Sequence, residues 1–332
     1  MLIFNSIYSI ISQLNKNKIQ LGFNLKNKKK ISKEYSDFSK IYKINKFKKP
    51  LVCTSQLCNQ DFFGLPLFQY WSNIIIEYWD DFMEKIKVND NHNMPKGILL
   101  HRKLWEYIYI IQVLYENGCL QNGKRGLGFG VGTEILPSLF ASMGCKIVAT
   151  DLDYNDELAK SWAIGSQNTK NDLNLLNQFK ICDDEIFYKN VSFIPLNMNN
   201  IPDNLIDFDF NWSSCALEHI GGLENSINFL INNLKTLKSG GISVHTTEFN
   251  LSSNEDTLLD PHCVIFREKD ILYVIKKIED LGHYVYPLDL RKGIYVADNY
   301  VDIPPYYSNN IHLRLKLDKY ITTSIGLIIK KK

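Results

Sequence analysis

The chain has 332 residues, 45% of them hydrophobic and 22% charged, with a net charge of +2. That is enough chain for a substantial core, and the composition is that of a globular protein, which excludes disordered and fibrous classes. Seven cysteines, an odd number with no C-x-x-C pair, give neither a disulfide framework nor a zinc signature, so a reducing, cytoplasmic setting is expected.

Ile3, Ile7, Ile10, Ile11 and Leu14 share one helical face at the start, and a lysine-rich stretch follows to Pro50. The opening lacks a basic n-region, as a signal peptide would not, and no apolar run approaches the ~20 residues of a membrane span. Residues 1–50 carry twelve lysines against Glu34 and Asp37, a net +10, so the remainder carries −8. A basic N-terminal helix and connector of this kind packs on the body or on a partner chain, or lies weakly on an anionic membrane surface at the inner face. The lysines belong to no recognisable reading module, so no nucleic-acid partner is expected.

Residues 51–120 read as a helical cap region. An aromatic-rich segment predicts a helix over Leu67–Phe82, with Cys53 and Cys58 as buried thiols, and Val88–Gly97 is a polar connector and boundary. His101–Leu120 reads as a strong helix burying Leu104, Ile108, Ile111 and Leu114 or Tyr115.

The third region, 121–332, is organised around the stretch Lys124–Asp153. Gly128, Gly130 and Gly132 alternate after a short apolar segment, where the backbone can take positive φ and approach a ligand. Thr133 is expected to cap the helix that follows, Gly144 to stop it, and Lys146–Thr150 to form a buried strand with Asp151 at its tip. A dinucleotide fingerprint needs G-x-G-x-x-G, and the third position falls on Val131, Thr133 or Ile135 in the available registers. A dehydrogenase is thereby disfavoured.

Further on, Val191–Pro202 reads as a third strand and its exit. Phe208–Asn250 reads as a fourth strand, a turn through Ser213 and Ser214, a helix from about Leu223, a Lys-Ser-Gly-Gly turn and a fifth strand from Ile242. Asp260, His262 and Cys263 sit on one loop with poor zinc spacing, so no metal site is expected. The segments HYVYPLDL and ITTSIGLIIKK read as closing strands.

The G-x-G-x-G turn with Asp151, followed in order by the LEHI and LKSGG pieces, resembles the class I S-adenosylmethionine-dependent methyltransferases over roughly residues 100–330. The resemblance implies an α/β fold: a Rossmann-like, mostly parallel sheet with an antiparallel C-terminal strand, helices on both faces and an N-terminal helical extension. It implies S-adenosyl-L-methionine as cofactor and S-adenosyl-L-homocysteine as product. Gly128, Phe129, Gly130 and Gly132 would pass under the methionine part, Asp151 and Leu152 would meet the ribose, Asn197 and Met198 the adenine, and Ser213 would end the fourth strand beside them. The acid that the family has two residues before the first glycine is Gly126 here, and Glu134 is the substitute for the ammonium contact. In that family the helix before the first strand often covers the active site, which makes His101, Trp105 and Glu106, with Asn250, candidates for the substrate. Surface charge competes with such a role for Arg102 and Lys103.

A sugar hydroxyl is too weak an acid to lose its proton unaided, so O-methylation calls for a base. His219, Glu248 and His245 lie at or near the carboxyl ends of strands four and five, where open α/β sheets bind ligands. Strand alternation puts His245 and Glu248 on opposite faces, and His245 ranks behind the other two. No acidic cluster follows strand four, so a metal-independent route is expected. Relatives in bacterial surface-glycan pathways make a hydroxyl of a capsule or lipooligosaccharide sugar, such as a heptose or a nucleotide-linked sugar, the expected acceptor. N-methylation of an amine and a non-catalytic cofactor-binding or partner-docking module are the alternatives, and a homodimer is compatible with either.

Overall fold

The computed structural model describes residues 53–75, 100–157, 159–160, 167–304, 306 and 311–332. The N-terminal helix and connector expected over 1–50, and the connector Val88–Gly97, lie outside the described residues. Its main elements are β1 (Ser55–Leu57), α1 (Arg102–Glu116), β2 (Arg125–Gly128), α2 (Leu136–Ser142), β3 (Lys146–Asp151), α3 (Asp184–Asn190), β4 (Val191–Pro195), β5 (Phe208–Ser214), α4 (Leu223–Asn232), β6 (Leu237–Asn250), α5 (Glu268–Asp280), β7 (Tyr284–Val285), β8 (Leu288–Asp289), β9 (Leu315–Leu317) and β10 (Tyr320–Lys330).

The main sheet has ten strands in the order β8-β1-β10-β6-β5-β2-β3-β4, with β7 and β9 also paired to β10. Strands β4, β3, β2, β5 and β6 are mutually parallel. Against them β10 runs antiparallel, in register from Ile242↔Lys330 to Asn250↔Thr322. Strand order reverses between β2 and β5, and a crevice opens beyond their carboxyl ends, as the rule for open α/β sheets requires. The sheet is Rossmann-like and mostly parallel, with an antiparallel C-terminal strand, as expected.

Helices cover both faces. On one, α1, α2 and residues 66–75 pack with Phe210, Trp212, Val244 and Ile328. The Phe140 ring of α2 meets Phe210 and Trp212 edge-on at 5.7 and 5.1 Å. On the other, α4 and α5 bury Phe229, Leu230, Ile271, Val274 and Ile278 against Phe129, Phe208 and Leu327.

α1 is buried on nearly every side, a wider face than its periodicity predicts, because it lies between the sheet and the helical residues 66–75. Some of its buried polar groups are matched, Gln112 Oε1 accepting the Trp71 indole N–H at 2.7 Å, while the Trp105 indole N–H has no partner among the described residues.

Several expectations are corrected. The region 51–120 is not helical throughout, since β1 joins the main sheet. It runs antiparallel to β10 (Gln56↔Gly326) and parallel to β8 (Ser55↔Leu288). The helix read over Leu67–Phe82 is seen at 66–75, and its remainder lies outside the described residues. Thr133 is not the cap of α2. That helix starts at Leu136 with Ile135 before it, no side-chain cap bond, and Pro137 in its first turn, where a missing N–H costs nothing. Ser213 and Ser214 belong to β5, and the chain turns at Cys215, whose φ is +47°. The Lys-Ser-Gly-Gly segment lies within β6, which begins at Leu237 and takes up a register shift opposite Phe208–Phe210.

Candidate active site

A cavity of about 490 Å³ opens at the carboxyl ends of β2, β3 and β5, within the ~300–1,000 Å³ range of small-molecule sites. Its wall includes the glycine loop, Asp151 and Leu152, the Asn197–Asn199 turn after β4, the Ser214–Gly221 turn after β5, and the start of α1.

Gly130 and Gly132 have φ of +58° and +52°, the left-handed region that favours glycine. The expectation that their missing Cβ makes room for a ligand needs amending. A Cβ on Gly132 would lie 2.5 Å from the Gln167 carbonyl oxygen, and one on Gly130 would lie 2.7 Å from Ala216 Cβ. The glycines let the loop fold against its own protein neighbours, and the loop then lines the cavity.

Asp151 ends β3 and is 8% exposed. Its Oδ1 accepts the Leu152 N–H at 2.9 Å, and its Oδ2 accepts the Thr169 N–H at 3.1 Å and the Asn168 amide at 3.2 Å. Burial pushes the carboxyl up to about 6, against those donors, which favour the ionised form.

Glu134, in the loop before α2, is 6% exposed and faces the same cavity. Its Oε1 accepts the Trp212 indole N–H at 2.6 Å, and burial pushes it up to about 8. Asn197 Oδ1 accepts the Asn199 N–H at 2.9 Å, which turns the chain after β4 and brings Asn197, Met198 and Asn199 to the wall.

Three histidines line the wall, His101, His219 and His262, and the first two are fixed in different ways. His219 ends a one-turn 3₁₀ helix, Leu217–His219, and its Nδ1 lies 2.6 Å from the His262 carbonyl oxygen. A carbonyl only accepts, so Nδ1 carries the proton and Nε2 is the ring's basic nitrogen. His101, preceding α1, accepts the Lys103 N–H on Nδ1 at 3.1 Å. Its ring stacks on His312 at 4.5 Å, and His312 Nδ1 lies 2.6 Å from Asp302 Oδ2. Burial first, then His312, Arg102 and Lys103, push His101 well below the usual histidine range, so its ring is neutral with the proton on Nε2.

The structure separates other sequence candidates from the cavity. His245 is buried on the α4 face of the sheet, with Ser213 Oγ 2.8 Å from Nδ1, Ser243 Oγ 2.6 Å from Nε2 and the Phe229 ring against it. Burial pushes it down to about 3. It is a neutral core histidine, and Ser213 is its partner, not a cavity residue. Glu248 faces the other side, as alternation requires, but is paired with Arg102 and does not line the cavity.

Trp105 is fully buried, stacked on Tyr109 at 4.8 Å. Gly128 and Phe129 pack beneath the loop, Gly128 against Trp212 and Phe129 against Phe229. Asn250 accepts the Ser252 N–H at 2.8 Å and holds the loop after β6. Glu106 is fully buried and acts at one remove. It takes Lys103 Nζ at 2.7 Å and the hydroxyls of Ser214 and Ser324 at 3.1 and 2.5 Å. These bonds fix α1 to β5 and β10.

Sequence reasoning left Lys103 open and passed over Tyr107, Asn199 and Asn225, all of which line the cavity. Lys103 had one signal, an acid three residues on along its own helix. Among the described residues no group of three or more His, Cys, Asp or Glu is placed to hold a metal ion, and no helix is long and apolar enough to cross a membrane.

No protein-family model and no curated protein matches the chain. Among solved structures it is similar to magnesium protoporphyrin IX methyltransferase from Synechocystis, with 11% identity, 79% of this chain and 99% of that one covered, and a TM-score of 0.42. It is also similar to the methyltransferase domain of bacterial CtHen1, with 14% identity, 69% and 100% covered, and a TM-score of 0.42. A putative sarcosine dimethylglycine methyltransferase from Galdieria sulphuraria shows 15% identity, 65% and 69% covered, and a TM-score of 0.36.

Proposed function

We propose that this chain is an S-adenosylmethionine-dependent methyltransferase that acts on a hydroxyl of a sugar, with His219 as general base and without a metal ion. The observation that carries the reading is the convergence on one cavity of Asp151, Glu134, Asn197 and Met198 with His219. Such a set fits the cofactor: a carboxylate at the end of β3 for ribose hydroxyls, an amide and a thioether after β4 for a purine, and a second carboxyl for a cationic end. The cofactor, when bound, supplies an activated methyl group on a sulfonium. The chain's own residues must then hold the acceptor in line and remove one proton, positioning alone contributing up to ~7–11 kcal/mol in the best aligned cases.

His219 suits the second task. The His262 carbonyl fixes its Nδ1 proton, so the acceptor's proton has one destination, Nε2. His101, Asn199 and Asn225 add hydrogen-bonding groups suited to a polyhydroxylated acceptor. A neutral amine would need no such base, which is why a hydroxyl is the reading we favour over N-methylation.

The test has two arms. Calorimetry should show S-adenosylhomocysteine binding with NAD weak or silent; NAD binding alone would overturn the cofactor. A mass-spectrometric screen of nucleotide sugars and glycan fragments, with and without chelator, should show a gain of one methylene that chelator does not abolish. Loss of activity in chelator with recovery on adding a divalent ion would overturn the metal-free route, and methylation confined to amines would overturn the acceptor.

A further inference from the structure

The three most exposed large hydrophobic side chains among the described residues stand on one short stretch: Ile294 at 81%, Val296 at 74% and Ile303 at 60%. Apolar residues scattered over a surface need no explanation, but three on one segment do. The backbone that carries them is fastened. Around the one-turn helix Val296–Asn299, Asp298 accepts the Gln60 N–H at 2.8 Å and the Tyr295 N–H at 3.1 Å, and the Ala297 N–H donates to Gln60 Oε1 at 2.8 Å. The buried Arg314 donates to the Lys292 carbonyl at 2.6 Å, and its own carbonyl accepts the Asp302 N–H at 2.8 Å. The apolar tips therefore project from a fixed base, and exposures this high mean that no groove encloses them.

The charges of the segment are sorted by sign. Its carboxylates are paired or turned inward: Asp289 accepts Arg291 Nε at 2.9 Å, Asp298 takes the two backbone N–H groups, and Asp302 Oδ2 lies 2.6 Å from His312 Nδ1. Asp298 and Asp302 are both buried. Outward go the aliphatic tips, with Tyr295 and Tyr300 half-buried among them and Arg291 and Lys292 exposed at the start. A protein partner is held best by an anchor enclosed in a pocket. Projecting aliphatic tips beside tyrosines and basic side chains suit the interfacial layer of a bilayer instead, where the tips reach the acyl boundary, tyrosine sits at headgroup level and long basic chains reach phosphates.

The segment borders the cavity. Lys292 Nζ donates to the Leu251 carbonyl at 2.9 Å, just past the carboxyl end of β6, and Asp302 leads through His312 to the stacked His101 ring on the cavity wall. We propose that residues 291–303 seat the protein on a bilayer surface, with Ile294, Val296 and Ile303 entering its interfacial layer and the cavity mouth held beside it. The docking does not depend on the function proposed above. Its consequence for the acceptor does rest on that reading: the sugar hydroxyl is one displayed on a lipid at the surface where the protein sits.

Sedimentation of the full chain with vesicles of phosphatidylcholine and phosphatidylglycerol should show binding that survives high salt, because salt screens attraction by lysines and leaves apolar insertion intact. Ile294→Ser, Val296→Ser and Ile303→Ser made together should lower the partition coefficient by at least about tenfold. The melting temperature and the affinity for S-adenosylhomocysteine should not change, since the three side chains are exposed and do not line the cavity. Val296→Trp should be quenched by vesicles made with brominated lipid. Docking by this segment is overturned if the wild type binds no vesicles or is released entirely by salt, if the serine variant binds as the wild type does, or if the Val296→Trp fluorescence is not quenched. A serine variant that loses self-association while keeping its vesicle binding would assign the tips to a contact between copies, again against the proposal. If vesicles are bound and S-adenosylhomocysteine is not, the docking stands and the consequence for the acceptor falls with the proposed function.

Discussion

At the scale of single residues, the roles proposed for Asp151 and His219 differ, and their loss should register in different measurements. Asp151 is held by two backbone N–H groups and a side-chain amide, so it is pre-set before any ligand arrives. On the proposed function, replacing it with alanine removes a charged acceptor from the ribose hydroxyls. The expected loss is about 1.5–3 kcal/mol in S-adenosylhomocysteine affinity, roughly ten- to a hundredfold, read by calorimetry. His219→Ala should instead leave that affinity nearly unchanged while turnover falls by ~10²–10⁴. An equal loss in both quantities would show that His219 holds the cofactor or the loop that carries His262. His245→Ala is the contrasting case. It strands the buried Ser213 hydroxyl and takes one of two partners from Ser243, which keeps Asn233, so the chemical-denaturation midpoint should drop by the equivalent of about 1–3 kcal/mol without a selective effect on turnover.

At the scale of elements, β1 is the piece whose contribution least resembles its size. Three residues, Ser-Gln-Leu, bridge β10 and β8. Around them the Cys58 N–H bonds the Ser324 carbonyl at 2.9 Å, Tyr109 Oη donates to the Thr54 carbonyl at 2.9 Å, and the Cys58 carbonyl accepts from the buried Arg314 at 2.6 Å. Deleting residues 1–45 should therefore spare folding and cofactor affinity. Deleting residues 1–60 should leave Arg314 and the β10 edge unsatisfied and give an insoluble or non-cooperative protein. Circular dichroism melts of the two truncations check the pair, and equal behaviour would mean that β1 is dispensable.

The same element shows where the sequence was legible. The glycine loop, Asp151 and the block from Phe208 to Asn250 announce themselves because positive φ, a strand tip and a buried parallel strand each restrict residue type locally. β1 has no local signature: two of its three residues are polar, and its partners come from the far end of the chain. Alternation along β6 placed His245 and Glu248 on opposite faces correctly. It could not tell that Asn233, Ser243 and Ser213 would enclose one face, nor that Arg102 would claim Glu248 on the other. Lys103 looked like surface charge because the helix that carries it is covered by segments distant in sequence.

For the whole molecule, the buried ionisable groups set how stability changes with pH. Glu134 is raised to about 8 and Asp151 to about 6, so each binds more protons folded than unfolded, and their contribution is full below the ordinary carboxylate range and lost as pH rises through those values. His245, lowered to about 3, acts in the opposite sense: its contribution is present above the ordinary histidine range and lost as pH falls towards that value. Comparison with Glu134→Gln isolates one group. Between pH 5 and 8 the ligand-free wild type should lose stability relative to the variant, on the order of a few kcal/mol. Thermal melts across that range check it, and parallel curves would show that Glu134 is ionised throughout.

The bridging position of β1 also has a consequence in time. Gln56 pairs with Gly326, so during synthesis at ~5–20 residues per second the strand waits roughly 15–50 s for its partner. Over that interval the rest of the parallel sheet can assemble, and the early segment must neither pair with itself nor offer an edge to another nascent chain. A strand of three residues, two of them polar, presents too short and too hydrated an edge to do either. Its brevity, which hid it from sequence reading, is what lets the ribosome deliver it first and the fold use it last.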